Sequence, residues 1–274
     1  MKDIYEIRGD TEGPVSVIMA GVHGDEICGV IAINEIKESL KIEKGTLFLL
    51  FGNPRAIDQK VRYTETNLNR MFVSDSEIKE NEINSYEYNR AQFIKKYLEE
   101  SDFLLDLHAS YTPKSEPFII CESNAKKIIK GMPASIVVSG FDECEPGGTD
   151  YYMNKIGKIG ICLECGYLDD SNSISIAREG IETFLKNVGH ISGKVKKIKQ
   201  KHIRIYELYK AKSNRFTLSK PFADFDIIKT GGVIGIDGID KKIVEKDSVI
   251  LFARNTNARD EEVCLLGEYK SDLV

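Results

Sequence analysis

Two of the four histidines in this chain, His23 and His108, each follow a short apolar run, "VIMAGV" and "FLLDL", and Glu26 stands three residues after His23. Such runs read as buried strands, and in open α/β sheets ligands collect at the carboxyl ends of strands. A histidine and a glutamate three apart at a strand-to-helix corner can converge on one metal ion, and Gly24 between them permits a tight turn and close backbone approach. Adding His108 makes the donor set His, Glu, His, with a fourth position open, which is the pattern of a catalytic rather than a structural zinc. Imidazole and carboxylate suit zinc best, with manganese, iron or cobalt as substitutes. Taken singly, each residue has a plainer account: Asp25 and Glu26 are favourable at a helix N-terminus, and a lone histidine is more often structural. A third strand end, "ICLECG", places Glu164 in a comparable position. The conjunction of the His23–Glu26 corner with His108, both at strand ends, is what points to a metal.

Asp106 precedes His108 by two residues. On a strand, residues i and i+2 face the same way, so its carboxylate can take the free N–H of a metal-bound imidazole and fix its tautomer. The block "GNPRAIDQKVRYTETNLNRMF" is unusually polar, with Arg55, Arg62 and Arg70 among Asn53, Asn67 and Asn69. Fixed-charge donors of this kind bind anions, and an arginine beside an asparagine can hold a carboxylate by several charge-assisted hydrogen bonds. Surface salt bridging is an equal reading for Arg55. Cys162 and Cys165 form a C-x-x-C. No second ligand pair accompanies them, and they lie in an apolar strand pattern, so they read as ordinary buried thiols.

These residues must be positioned by a framework, and the first two-thirds of the chain alternates strand and helix signals. "PVSVIMAG", "GTLFLLFGNP", "DFLLDLHA", "ASIVVSG" and "GKIGICLECG" read as strands, and "DEICGVIAINEIKESL", "SYEYNRAQFIKKYLEES" and "SISIAREGIETFLKNVG" as amphipathic helices. Continuous apolar strands imply a sheet covered on both faces, and the alternation predicts an α/β layer fold. Near Ser192 the pattern changes to a basic run and then to short β-branched segments with glycine turns. This predicts one unit over residues 1–192 and a small all-β unit over 193–274. The basic run reads as a solvated linker.

The motifs "GVHGDE", "NPRA", "RY", "NLNRMF", "DLH" and "LECG", in that order, resemble the succinylglutamate desuccinylase and aspartoacylase family of zinc amidohydrolases. The block from Asn53 to Phe72 carries the most specific part of the likeness, "YEYNRAQFIKKYL" matches in style, and the motifs cover roughly residues 18–170. The resemblance implies a three-layer, zinc-carboxypeptidase-like α/β domain with a mixed central sheet, followed by a small C-terminal β domain. It implies one zinc per chain, held by His23, Glu26 and His108. It gives Glu164 the role of general base and then acid, and Arg62 that of polarising the scissile carbonyl. Asn69 and Arg70 would grip the free carboxylate of a small N-acyl amino acid. Two departures bear on the substrate. Asn67 stands where the family usually has aspartate. Asn154, ten residues before Glu164, stands where aspartoacylases carry the arginine for a second carboxylate. The segment "FDECEPGGTDYYMN", read as a loop, is acidic; if it lines the pocket, it favours a neutral or cationic substrate side chain.

Composition narrows the remaining classes. The 274 residues are 42% hydrophobic and 30% charged, with 38 basic against 43 acidic residues and a net charge of −5. That is a globular balance which argues against a nucleic-acid or anionic-membrane binder. No window approaches the roughly 18 apolar residues of a membrane span, and "MKDIYEIRGD" has no secretory apolar region. The six cysteines without framework spacing fit a reducing, cytoplasmic setting. A metallocarboxypeptidase acting on short peptides would use the same zinc and the same Arg70. A non-catalytic metal- or carboxylate-binding module would need no Glu164. The sequence leaves open whether the C-terminal unit serves homo-oligomerisation.

Overall fold

Apolar β-branched runs form strands where both faces can be covered, and in this chain they build one large sheet. The computed structural model describes residues 3–273. Its first half contains β1 (Ile4–Arg8), β2 (Thr11–Ala20), α1 (Cys28–Ile36), β3 (Lys44–Phe51), α2 (Pro54–Gln59), α3 (Tyr86–Glu100) and β4 (Phe103–Ser110). There follow β5 (Phe118–Ile120), β6 (Ile136–Ser139), α4 (Phe141–Cys144), α5 (Thr149–Lys155), β7 (Ile159–Tyr167) and α6 (Asn172–Val188). The remainder holds only strands: β8 (Lys201–Lys210), β9 (Phe216–Leu218), β10 (Ile227–Ile228), β11 (Val233–Asp237), β12 (Asp240–Ile243), β13 (Ser248–Leu251) and β14 (Glu262–Lys270).

The large sheet has the order β1-β3-β2-β4-β7-β5-β6-β8-β14-β13-β10, and β12-β11-β9 form a separate small sheet. β2, β3, β4 and β7 run parallel, whereas β1 and β5 join antiparallel, so the sheet is mixed. β8 continues it by pairing parallel with β6. The expected α/β three-layer architecture is what the chain adopts. Period-2 alternation sorts the side chains. Ile18, Ala20, Leu105, Leu107, Ile161 and Leu163 face α1 and α6, while Val17, Met19 and Leu104 face α3 and α5. Asp106, His108, Cys162 and Glu164 share the parity of Leu104, so all four belong to the α3/α5 face. No helix among the described residues is long and apolar enough to cross a membrane.

Two local expectations are corrected. The helix read from Asp25 starts at Cys28 and ends at Ile36, because Asp25–Ile27 are used in a turn off β2. The segment read as an acidic loop is largely helical, forming α4 and α5 with Gly147 and Gly148 between them. Four acids and two glycines hid two short helices.

The polar block is held from below and from behind. Leu68, Met71 and Phe72 are buried against Ala91, Ile94 and Leu98 of α3. Each such side chain contributes about 1.5–3 kcal/mol, and together they pin Asn69 and Arg70 between them. Behind the block, fully buried Glu87 on α3 accepts hydrogen bonds from Thr64 N and Oγ1 (both 2.7 Å), Glu65 N and Thr66 N (both 3.2 Å) and Asn53 Nδ2 (3.1 Å). Burial alone would raise its carboxyl, but these donors hold it below the ordinary glutamate value of 4.5. A group with a depressed folded pKa adds stability above its unfolded pKa and loses it as pH falls through the folded value. Glu87→Gln should therefore be less stable than wild type at neutral pH by about 1–3 kcal/mol. The difference should shrink below pH 4.5 in urea titrations; a difference that does not change with pH would remove Glu87's charge from the account.

Candidate functional site

β2 delivers the chain to Gly21, whose φ of 71° turns it sharply, and then to His23. A Cβ on Gly24 would lie 2.1–2.4 Å from backbone atoms of Ala56 and Ile57, so the corner packs on α2 as only glycine allows. Glu26 is the hub of the site. Its Oε1 lies 2.7 Å from His23 Nδ1 and 2.9 Å from Arg62 Nη1; its Oε2 lies 2.9 Å from His108 Nδ1 and accepts the Ala109 N–H at 3.1 Å. His23, Glu26 and His108 are 3–4% exposed, and their ligand atoms all fall within 4.8 Å of one another.

Asn67 Oδ1 lies 3.1 Å from His23 Nε2 and also accepts the Asn69 N–H at 3.0 Å, which orients the amide. His23 Nε2 therefore carries the proton. Asp106 Oδ2 sits 3.2 Å from His108 Nε2 without forming a hydrogen bond to it. Both Nδ1 atoms are turned toward one carboxylate. Burial pushes His23 below its ordinary 6.5, and a neutral imidazole then aims a lone pair at an anion. A divalent cation bound by His23, Glu26 and His108 would complete this arrangement. The residues present fit zinc. Asp106, His108 and Cys162 form a second candidate group. Burial drives the Cys162 thiol well above its usual pKa, so it stays protonated and is the poorer ligand.

Glu164 pairs directly with His108 across the β4–β7 ladder. It is 7% exposed, and its Oε2 is buried without a hydrogen-bond partner. Burial pushes its carboxyl up to about 8, opposed by His108 and reinforced by Glu26. Arg62 lies over the Tyr111 ring, 5.2 Å from its centroid, and Tyr111 donates its hydroxyl hydrogen to Asp25. Sequence reasoning missed Tyr111, and it missed Asp224. The Asp224 carboxylate accepts from Ser110 Oγ (2.7 Å), Thr112 Oγ1 (3.0 Å), Ser115 Oγ (2.7 Å) and Phe252 N (2.8 Å). It ties the segment after His108 to the C-terminal strands. Nothing in "PFADFD" signals that contact, which joins residues more than a hundred positions apart.

His23, Glu26, His108, Arg62, Glu164, Asn69 and Arg70 line one cavity of about 880 Å³, and residues between Leu208 and Leu265 wall its other side. Asp106 lies behind His108, fully buried. Arg70 is already engaged. Its Nη2 donates to Glu145 and to Glu262 Oε1 at 3.0 Å, its Nε donates to Glu262 at 3.1 Å, and its Nη1 donates to Asn69 O at 2.7 Å. Asn154 donates its Nδ2 to Asp142 at 3.0 Å rather than meeting an anion in the cavity. Arg55 pairs with Glu65 on the surface, and Cys162 and Cys165 are free buried thiols.

Residues 12–188 match the family model of the succinylglutamate desuccinylase/aspartoacylase catalytic domain. An aspartoacylase from Xenopus tropicalis is 34% identical over 116 residues, 39% of this chain and 37% of that one. A succinylglutamate desuccinylase from Pseudoalteromonas atlantica is 32% identical over 119 residues, 38% of this chain and 34% of that one. The matched stretch thus spans about a third of these curated relatives. The crystal structure of a succinylglutamate desuccinylase from Vibrio cholerae superposes with a TM-score of 0.80 at 18% identity, covering 100% of this chain and 88% of the other, a likeness of fold.

Proposed function

The chain belongs to the succinylglutamate desuccinylase/aspartoacylase family, and on that premise we propose that it is a zinc-dependent amidohydrolase that cleaves a small N-acyl amino acid. The observation that carries this reading is Glu164: a buried carboxylate without a partner on Oε2, facing the same cavity as the His23–Glu26–His108 group and Arg62. Zinc held by those three residues would polarise the scissile carbonyl and make a bound water acidic enough to ionise near neutrality.

The chain's own residues do the rest. Glu164 takes a proton from the attacking water and later gives it to the departing amine, so a carboxyl pushed up to about 8 by burial suits both directions near neutral pH. Arg62, fixed by Glu26 and by the Tyr111 ring, brings a permanent positive charge to the oxygen on which negative charge develops. Asn69 and Arg70 meet the free carboxylate of the amino-acid portion. For Arg70 this requires that carboxylate to take the place of Glu145, whose own carboxyl burial pushes up to about 7, so it is easily neutralised. Residues 1–192 carry the chemistry, and 193–274 form the β unit that closes the cavity. A wall on that side favours a small substrate over a peptide. The test is amine release by the zinc-loaded protein from a panel of N-acyl amino acids and dipeptides. Turnover of an N-acyl amino acid is expected; preferential cleavage of dipeptides would replace this reading with a carboxypeptidase.

A further inference from the structure

The cavity holds an acid whose partner the protein does not supply. Asp150, in the first turn of α5, is 7% exposed and lines the cavity. Among the described residues no side chain donates a hydrogen bond to it and no cation pairs with it; only the adjacent Tyr151 N–H lies beside its carboxylate. The cations nearby are spent elsewhere: Arg62 on Glu26, Arg70 on Glu145 and Glu262, and Arg254 on Glu262 at 3.2 Å. Lys220 is exposed, its ammonium 5.1 Å from the centroid of the Phe222 ring. Asp142, held by Asn154, adds a second negative charge on the same wall. Asn69 offers a buried Oδ1 with no donor. This wall presents acceptors and negative charge, and a buried charge is stable only when paired.

From this wall we infer that the amino-acid portion of the substrate carries a positively charged side chain, whose ammonium or guanidinium docks on Asp150 with Asp142 behind it. The substrate class is then the Nα-acyl derivatives of lysine, ornithine, diaminobutyrate and arginine. Burial and the Asp142 charge push the Asp150 carboxyl up to about 7. That cost falls when a cation arrives, so the wall binds basic side chains and rejects a second carboxylate.

The inference rests on the amidohydrolase reading for its substrate class, and two measurements separate them. The first compares kcat/KM for Nα-acetyl-lysine, -ornithine, -diaminobutyrate and -arginine with that for N-acetylmethionine and N-acetylaspartate. A basic substrate should lead, and its ratio over N-acetylmethionine should fall by about 10–100-fold in Asp150→Asn, the worth of a charge-assisted hydrogen bond. Asp150→Glu should restore part of it. A lead for N-acetylaspartate or N-acetylmethionine overturns the inference, and so does a ratio unmoved while both rates fall. The second measurement is calorimetric binding of free lysine, ornithine, diaminobutyrate, arginine, methionine and aspartate to the zinc-loaded protein, which needs no turnover. Binding of a basic amino acid that weakens in Asp150→Asn supports the subsite even where no amide is cleaved, and then only the amidohydrolase reading fails. No preference for the basic amino acids in binding overturns the subsite.

Discussion

Glu164→Ala should bind zinc as wild type does and lose about 10³–10⁴ of its turnover, the upper range for a positioned acid–base group. The size follows from the proposed double use of one carboxylate, first to accept the proton of water and then to deliver it to a poor amine leaving group. Metal retention follows from geometry. Glu164 stands beside His108 on the neighbouring strand, but Glu26, not Glu164, bridges the two histidines. Removing Glu164 also relieves a buried carboxylate without a partner on Oε2, so the variant should melt no lower than wild type. Metal content by mass spectrometry, melting temperature and amine release decide the matter together. Activity within tenfold of wild type would take the proton-transfer role from Glu164, and loss of zinc with full folding would make it a ligand instead.

Glu26→Ala should fail in the opposite way. Four groups converge on this one side chain: the two imidazole Nδ1 atoms, and the Arg62 guanidinium and the Ala109 N–H, which donate to it. Burial alone would raise its carboxyl, but the groups packed around it hold it well below the ordinary value of 4.5. Its loss removes a proposed metal ligand and leaves Arg62 without its carboxylate. Zinc affinity should drop by more than the about 10–100-fold typical of losing an outer partner. Stability should fall by about 3–5 kcal/mol, as when one member of a buried charge pair is removed. Glu26→Gln keeps the shape and should recover part of the stability without recovering activity. Wild-type zinc affinity in Glu26→Ala would dissolve the proposed metal centre.

Much of the site could be read from local order. His23, Glu26, His108 and Glu164 stand out because polar residues ending apolar strands are costly unless used, and the parity of Asp106 with His108 follows from the pleat. The residues that local order does not reveal act across distance. Glu87 reads as an ordinary acid in a first helical turn, yet it holds the backbone of Thr64, Glu65 and Thr66. Asp224 lies in a segment without periodicity, yet three hydroxyls converge on it. The segment from Phe141 to Asn154 reads as loop because its glycines and acids outweigh two short helical turns.

By itself, the order of residues determined the layer fold, the strands, and which residue types stand at their ends, since these depend on periodicity and on neighbours in the chain. Tertiary structure alone decided how those residues are used. The packing of the C-terminal strands brings Glu262 to Arg70, and α5 brings Asp150 into the cavity with no cation beside it. Whether a charge is satisfied or left for a ligand depends on what folds against it, and no spacing along the chain contains that.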